Sequence, residues 1–227
     1  MCFTPTISLL TALIEFTIAT IILIFFRKSL VNKFFVTLVY VLGIYQFTEF
    51  MLCVSTNPVF WSKLGFIAYT FLPAIALYYL ARYSSKKENE NFFKLIYIIP
   101  IFYTIVAITA KTFITKVECS QFFVIGRTAL YAIDPLLSGI YSAYYAIAIL
   151  LSFILILQKM LNERNKTKKK IQISILSAIF ISLIPALILV VILPSLEIYF
   201  PSIYCEFAIL FSIAALVVAQ LDKKLKK

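Results

Sequence analysis

The chain has 227 residues, of which 63% are apolar and only 14% charged, with a formal net charge of +11 and a mean hydropathy of +1.00. A water-soluble domain cannot hide that much apolar surface, and a disordered or collagen-like chain needs far more Gly, Pro and polar residues. What remains is a polytopic membrane protein.

A hydrocarbon core of roughly 30 Å takes about 20 apolar residues of helix to cross. Seven segments meet that length, at about 6–26, 34–54, 60–80, 92–110, 136–158, 171–193 and 202–220. Each is bounded by charges or by Pro and Asn, and the fourth is the weakest, carrying Pro100. The segments are too long, and too lacking in two-residue alternation, for a β-barrel. The expected fold is therefore all-α: residues 1–227 form a single bundle of seven transmembrane helices. The first segment starts almost at Met1, has no basic leader and no small-x-small cleavage site, so it is expected to stay in the protein.

Basic residues set the expected orientation. All of the 21 Lys and Arg except Lys63, Lys111, Lys116 and Arg127 fall on one side of this bundle. By the positive-inside rule that side is cytoplasmic, which puts the N-terminus outside and the C-terminus inside a multi-pass protein of the cell membrane. The run Lys166–Lys170 and the Lys-rich tail read as orientation signals and as contacts to anionic lipid, not as a nucleic-acid surface.

The longest outer connection is 111–135. β-Branched and aromatic residues on both sides of Glu118-Cys119-Ser120 predict a short hairpin or re-entrant cap over the bundle, with a ligand-gating lid as the alternative. All four cysteines, Cys2, Cys53, Cys119 and Cys205, fall on this outer side. Packing as small hydrophobes, disulfides in an oxidising exterior, and a thiol pair all fit. Cys2 is expected within disulfide reach of Cys53 or Cys205, a Cα separation of about 7 Å or less. With no His anywhere and no C-x-x-C, His-supported zinc, haem ligation and His-based triads are excluded, and no metal or other cofactor is called for.

Ionisable groups inside hydrocarbon are costly and face bundle interiors. Glu15, Gln46, Glu49 and Glu206 all lie in the outer halves of their segments. Ser8, Thr11 and Glu15 share one helical face, as do Gln46, Glu49 and Cys53 on the second segment. Ser138, Tyr141, Ser142 and Tyr145 share a face of the fifth segment, and Cys205 shares one with Ser212 on the seventh. Tyr69 and Thr70 precede Pro73 on the third. These faces are expected to meet in one outward-facing polar pocket built from Glu15, Gln46, Glu49, Tyr69, Tyr141, Tyr145, Cys205 and Glu206. The competing reading is interhelical packing: carboxyl groups and amides bonding across helices, and tyrosines anchoring. Pro73, Pro100 and Pro185 each free a backbone carbonyl that something else must satisfy.

Short motifs carry two resemblances. Met1-Cys2-Phe3-Thr4-Pro5-Thr6, Gln46-Phe47-Thr48-Glu49, Pro73, Asp134-Pro135 and Tyr204-Cys205-Glu206-Phe207-Ala208 together resemble an uncharacterised prokaryotic seven-span family. Its members begin Met-Cys-Phe-Ser and carry Gln-Phe-Ser-Glu and Trp-Cys-Phe-Phe-Ala. The resemblance marks Cys2, Gln46, Glu49 and Cys205, departs at Glu206, and implies no activity. Trp61-Ser62-Lys63-Leu64-Gly65-Phe66 leading to Leu72-Pro73 and Tyr78-Tyr79 is more distantly similar to the seven-span sensor region of bacterial histidine kinases. No kinase domain follows Lys227 in this sequence, so that resemblance implies signalling through a separate cytoplasmic partner.

Three functions are compatible with these residues. A small-ligand-binding or sensing protein would use the outer pocket. A transporter of a small or cationic solute would need a polar path through inner halves that are almost purely aliphatic, as at Ile21-Ile22-Leu23-Ile24. A membrane thiol-redox protein would use Cys2 with Cys205 or Cys53 with Cys119; an enzyme of another kind lacks the usual His partner. The partners expected are the bilayer, an unidentified small molecule and a cytoplasmic signalling protein; the oligomeric state is open.

Overall fold

The computed structural model describes residues 4–26, 29–84, 94–119, 124–128, 135–187 and 204–225. Helix α1 spans Thr4–Phe25, α2 Leu30–Val54 and α3 Pro58–Ser84. A single 3₁₀ turn, Leu95–Tyr97, leads into α4, Ile98–Thr109. Strands β1 (Ile114–Cys119) and β2 (Val124–Thr128) follow, then α5 (Pro135–Asn162), α6 (Lys166–Leu187) and α7 (Tyr204–Lys224). Among the described residues α1, α2, α3 and α5 are long and apolar enough to cross a membrane, and the helical run Leu95–Thr109 is a shorter apolar one.

Local chemistry sets several of the ends. Ser29 caps α2, its Oγ accepting the Asn32 N–H at 3.1 Å. Asn57 does the same for α3, its Oδ1 accepting the Phe60 N–H at 3.2 Å, and Pro58 sits at the first helical position, where a missing N–H costs nothing. Asn165 caps α6 through the Thr167 and Lys168 N–H groups. At the far end of α4, Lys63 Nζ donates to the Ala110 carbonyl at 2.9 Å, a cation on a helix C-terminus.

The helices pack as a closed ring. α2 lies between α1 and α3; α3 also touches α4 and α5; α5 touches α6; α6 touches α7; and α7 returns to both α1 and α2. Two glycines mark the tightest crossings. A Cβ on Gly43 would fall 2.7 Å from the Phe16 ring, and one on Gly65 would fall 2.8 Å from Thr48 Oγ1. The core is made of Phe34, Phe35, Phe66, Leu80, Ile156, Ile175 and Phe211 with their neighbours, while Ile24, Phe25, Ile105 and Leu150 face outward. An apolar exterior of that kind is what lipid solvates, and it accounts for the composition.

The two strands form an antiparallel hairpin, with Cys119 opposite Val124 and Val117 opposite Gly126. Phe113, fully buried just before β1, stacks edge-on against Phe66 at 4.7 Å and fixes the hairpin to α3. A disulfide from Cys53 on α2 to Cys119, with a Cα separation of 5.7 Å, fixes it to α2. The expected short hairpin thus lies over this end of the bundle. The ring opposite it, where α1, α3, α5 and α7 end and α2 and α6 begin, carries the lysines.

Candidate functional site

The expected site residues separate into two groups at the hairpin end. The first lies between α1, α2 and α7. Ser8, Thr11 and Glu15 point inward from α1, and Gln46 and Glu49 from α2; Glu15 and Gln46 are wholly buried and Glu49 is 6% exposed. Ser8 Oγ donates to Glu49 Oε2 at 3.4 Å, so the two faces read from helical spacing do meet. The carboxyl groups of Glu15 and Glu49 are close enough to interact electrostatically. Neither oxygen of Glu15 has a hydrogen-bond partner. On α7, which packs against both helices, Ser212 Oγ is likewise buried without a hydrogen-bond partner. Counted from the hairpin end at 1.5 Å per residue, Glu15, Gln46 and Ser212 lie at about 16, 12 and 12 Å, a common depth. No Lys or Arg occurs in 1–26, 34–62 or 204–222, so these three helices bring no cation to this depth.

The second group joins α3 and α5, and its chemistry follows from Pro73. A proline has no N–H, so Pro73 leaves the carbonyl four residues back, that of Tyr69, without its helical donor. The Tyr145 hydroxyl donates to that carbonyl at 3.4 Å. One residue along, the Tyr144 hydroxyl donates to the Thr70 carbonyl at 2.9 Å. The Thr70 hydroxyl donates to the Phe66 carbonyl at 2.7 Å and lies 3.0 Å from the Tyr141 hydroxyl. Tyr141 stacks on Phe66 at 5.6 Å and meets Tyr103 edge-on at 4.9 Å, and the Tyr103 hydroxyl donates to the Leu137 carbonyl at 2.6 Å. The Tyr141, Tyr144 and Tyr145 hydroxyls are therefore engaged with α3. Tyr69 meets Tyr45 edge-on at 6.0 Å, and Tyr45, beside Gln46 on α2, is the bridge between the two groups.

The remaining expected residues divide as follows. Cys53 is joined to Cys119, so the alternative of Cys53 as the counterpart of Cys2 falls away. Cys2 lies outside the described residues, and Cys205 and Glu206 open α7 with side chains outside the described set. A shallow groove of about 300 Å³ runs along the outward face of α1, lined by Phe16, Thr17, Thr20, Ile21, Ile24 and Phe25; it contains none of the carboxyl groups. Among the described residues no group of three or more Cys, Asp and Glu is placed to hold a metal.

A polar layer at the lysine end went unseen in the sequence. Buried Asn32 on α2 donates to Asp222 on α7 at 3.4 Å. Lys159 on α5 donates to the Tyr83 carbonyl and lies 4.0 Å over the Tyr83 ring, and Gln172 on α6 is wholly buried with neither of its amide atoms hydrogen-bonded. Asn32 and Asp222 are 190 residues apart, and only their positions just inside segment ends hinted at them. In the α5–α6 turn, Glu163 Oε1 accepts the Asn165 N–H at 3.0 Å, which holds its carboxyl below the usual range.

No curated protein and no solved structure matches the chain. A family model described as the N-terminal 7TM region of histidine kinase matches residues 7–225, nearly the whole length. It agrees with the more distant of the two resemblances drawn from the Trp61–Phe66 and Leu72-Pro73 motifs, and with the apolar helices that make this a membrane protein. The chain belongs to the family of N-terminal seven-transmembrane regions of histidine kinases.

Proposed function

We propose that the protein is the sensory input module of a membrane signalling system, and that the polar node of Ser8, Thr11, Glu15, Gln46 and Glu49 receives the signal. In this reading it is a multi-pass protein of the cell membrane with its N-terminus outside. A small polar or cationic molecule reaches the node from the hairpin side, and the lysine end faces a cytoplasmic kinase partner. The observation that carries the reading is the node itself. Two buried carboxyl groups from α1 and α2, one held by Ser8 and the other without a hydrogen-bond partner, are costly in hydrocarbon, and the family supplies a sensory context for them. The disulfide-tied hairpin supports the reading, since it fixes a structured connection to α2 at the end of the bundle where Glu49 lies.

The test is a fusion of the full chain, through its α7 end, to the catalytic region of a histidine kinase, with autophosphorylation read in membranes. Glu49→Gln and Ser8→Ala are expected to shift basal phosphorylation by about fivefold or more, the effect of a coupling energy of about 1 kcal/mol. Unchanged output from both variants, with normal insertion and expression, would remove the node from signalling. Ion or solute flux in proteoliposomes that exceeds the Glu49→Gln control would favour transport instead.

A further inference from the structure

Glu15 is the member of the node that is left without a hydrogen-bond partner. Glu15 is wholly buried, neither of its oxygens has a hydrogen-bond partner, and the Glu49 carboxyl acts on it from α2. No basic residue of α1, α2 or α7 lies at this depth. A buried carboxyl group is costly unless it is paired, hydrogen-bonded or protonated, and α1, α2 and α7 supply Glu15 with no cationic partner. The oxygen-bearing side chains that α1, α2 and α7 bury toward this end are two carboxyl groups, the hydroxyls of Ser8 and Thr11, and the Ser212 hydroxyl, which has no hydrogen-bond partner of its own, with the Gln46 amide among them. Oxygen donors of this kind suit hard, weakly polarising cations. All of these side chains are closed off from solvent or nearly so, which excludes a bulky organic ammonium without helix separation. Glu49 already accepts a hydrogen bond from Ser8 and lies nearer the rim, so the deep site presents one unmatched carboxyl, a monovalent requirement.

We infer that Glu15, with Glu49, Thr11 and Ser212, forms an enclosed site for a small monovalent metal cation of Na⁺ type between α1, α2 and α7. The inference rests on the node being the input site, and gives its ligand a chemistry. Bound there, the cation ties three helices together, so its arrival or loss changes how α7 packs.

The experiment uses the full chain in lipid nanodiscs and follows thermal unfolding in NaCl, KCl and N-methyl-D-glucamine chloride at equal ionic strength, with CaCl₂ as a further arm. The expected result is a midpoint higher in NaCl than in the glucamine salt by about 3 °C or more, the size that ligand linkage gives a protein of this length. Glu15→Gln should abolish that increment, and Ser212→Ala should reduce it while leaving the midpoint in the glucamine salt close to wild type. Equal midpoints in NaCl and the glucamine salt would overturn the site, as would a Glu15→Gln protein that keeps the increment. Stabilisation by CaCl₂ without any by NaCl would overturn its monovalent character. A null salt comparison alongside an altered Glu49→Gln kinase fusion would remove the cation and leave the sensory reading standing.

Discussion

The splint between α5 and the α3 kink makes a quantitative prediction, because Pro73 determines which carbonyl needs help. Tyr145→Phe deletes the hydroxyl that donates to the Tyr69 carbonyl and changes little else, since the ring stays in its aromatic cluster. A backbone carbonyl left without a donor inside a membrane bundle costs about 0.6–2 kcal/mol, by analogy with interhelical hydrogen bonds measured there. The 3.4 Å length puts this bond toward the lower half, so about 1 kcal/mol is expected. Pro73→Ala restores an N–H at the position that serves Tyr69, and in that background Tyr145→Phe should cost almost nothing. A double-mutant cycle should therefore give a coupling energy of about 1 kcal/mol between residues 73 and 145. Tyr144→Phe is the internal control. Its partner, the Thr70 carbonyl, has a helical donor in the Ala74 N–H with or without Pro73. Its coupling to Pro73 should be smaller. The assay is reversible unfolding in mixed micelles titrated with denaturing detergent, followed by far-UV circular dichroism. Equal costs for Tyr145→Phe in the wild-type and Pro73→Ala backgrounds would refute the argument that the proline creates the need that Tyr145 meets.

Three further outcomes follow from single contacts. Cys119→Ser, or reduction, should free the hairpin from α2, visible as faster proteolysis between β1 and β2 and a mobility change on non-reducing gels. The sequence separation of 66 puts the chain-entropy contribution of that disulfide at no more than about 4 kcal/mol, less if the unfolded chain stays in the bilayer. Gly65→Ala should destabilise the α2–α3 crossing by about 1–3 kcal/mol, because its Cβ would meet a Thr48 hydroxyl already bound to the Tyr45 carbonyl; Gly65→Ala with Thr48→Ala should recover most of that loss, measured by the same detergent titration. For Glu163 the folded carboxyl sits below its unfolded value, so the order it gives the α5–α6 turn is complete above the unfolded value and is lost as pH falls through the folded one; Asn165 amide exchange should show that acid loosening, and Glu163→Gln should flatten it.

What the sequence made legible was periodic or local. Apolar length gave the membrane character, and helical spacing put Ser8 on the same side as Glu15, and Gln46 with Glu49, the faces that meet through the Ser8–Glu49 hydrogen bond. The β-branched flanks of Cys119 gave the hairpin. Pro73 announced an orphan carbonyl, but nothing in a linear pattern says which neighbour will supply the donor. Tyr144 and Tyr145 answer from more than seventy residues away because α5 crosses α3 at that height. For the same reason spacing placed Tyr141 and Tyr145 on a polar face without revealing that their hydroxyls are turned into α3. Four cysteines admit three pairings, and only the lay of the hairpin over α2 selects Cys53 with Cys119. Asn32 and Asp222 were hidden by position, each reading as an ordinary polar residue at the edge of a span.

The two polar layers are joined by the same pair of helices. α2 carries Gln46 and Glu49 toward the hairpin end and Asn32 toward the lysine end; α7 carries Ser212 and Asp222 at the matching depths. Ten residues separate Ser212 from Asp222, about 15 Å of continuous helix without Pro or Gly to absorb a bend. In the proposed sensory reading, a displacement of α7 against α2 at the node would be carried along this rigid stretch to the Asn32–Asp222 hydrogen bond. That bond is buried, and a carboxyl leaving an amide partner there must find another partner or reach water. In the proposed sensory reading that cost would separate a bonded from a released arrangement of the junction, and Asn32→Leu, which removes the amide, is expected to uncouple the node from output in the kinase fusion.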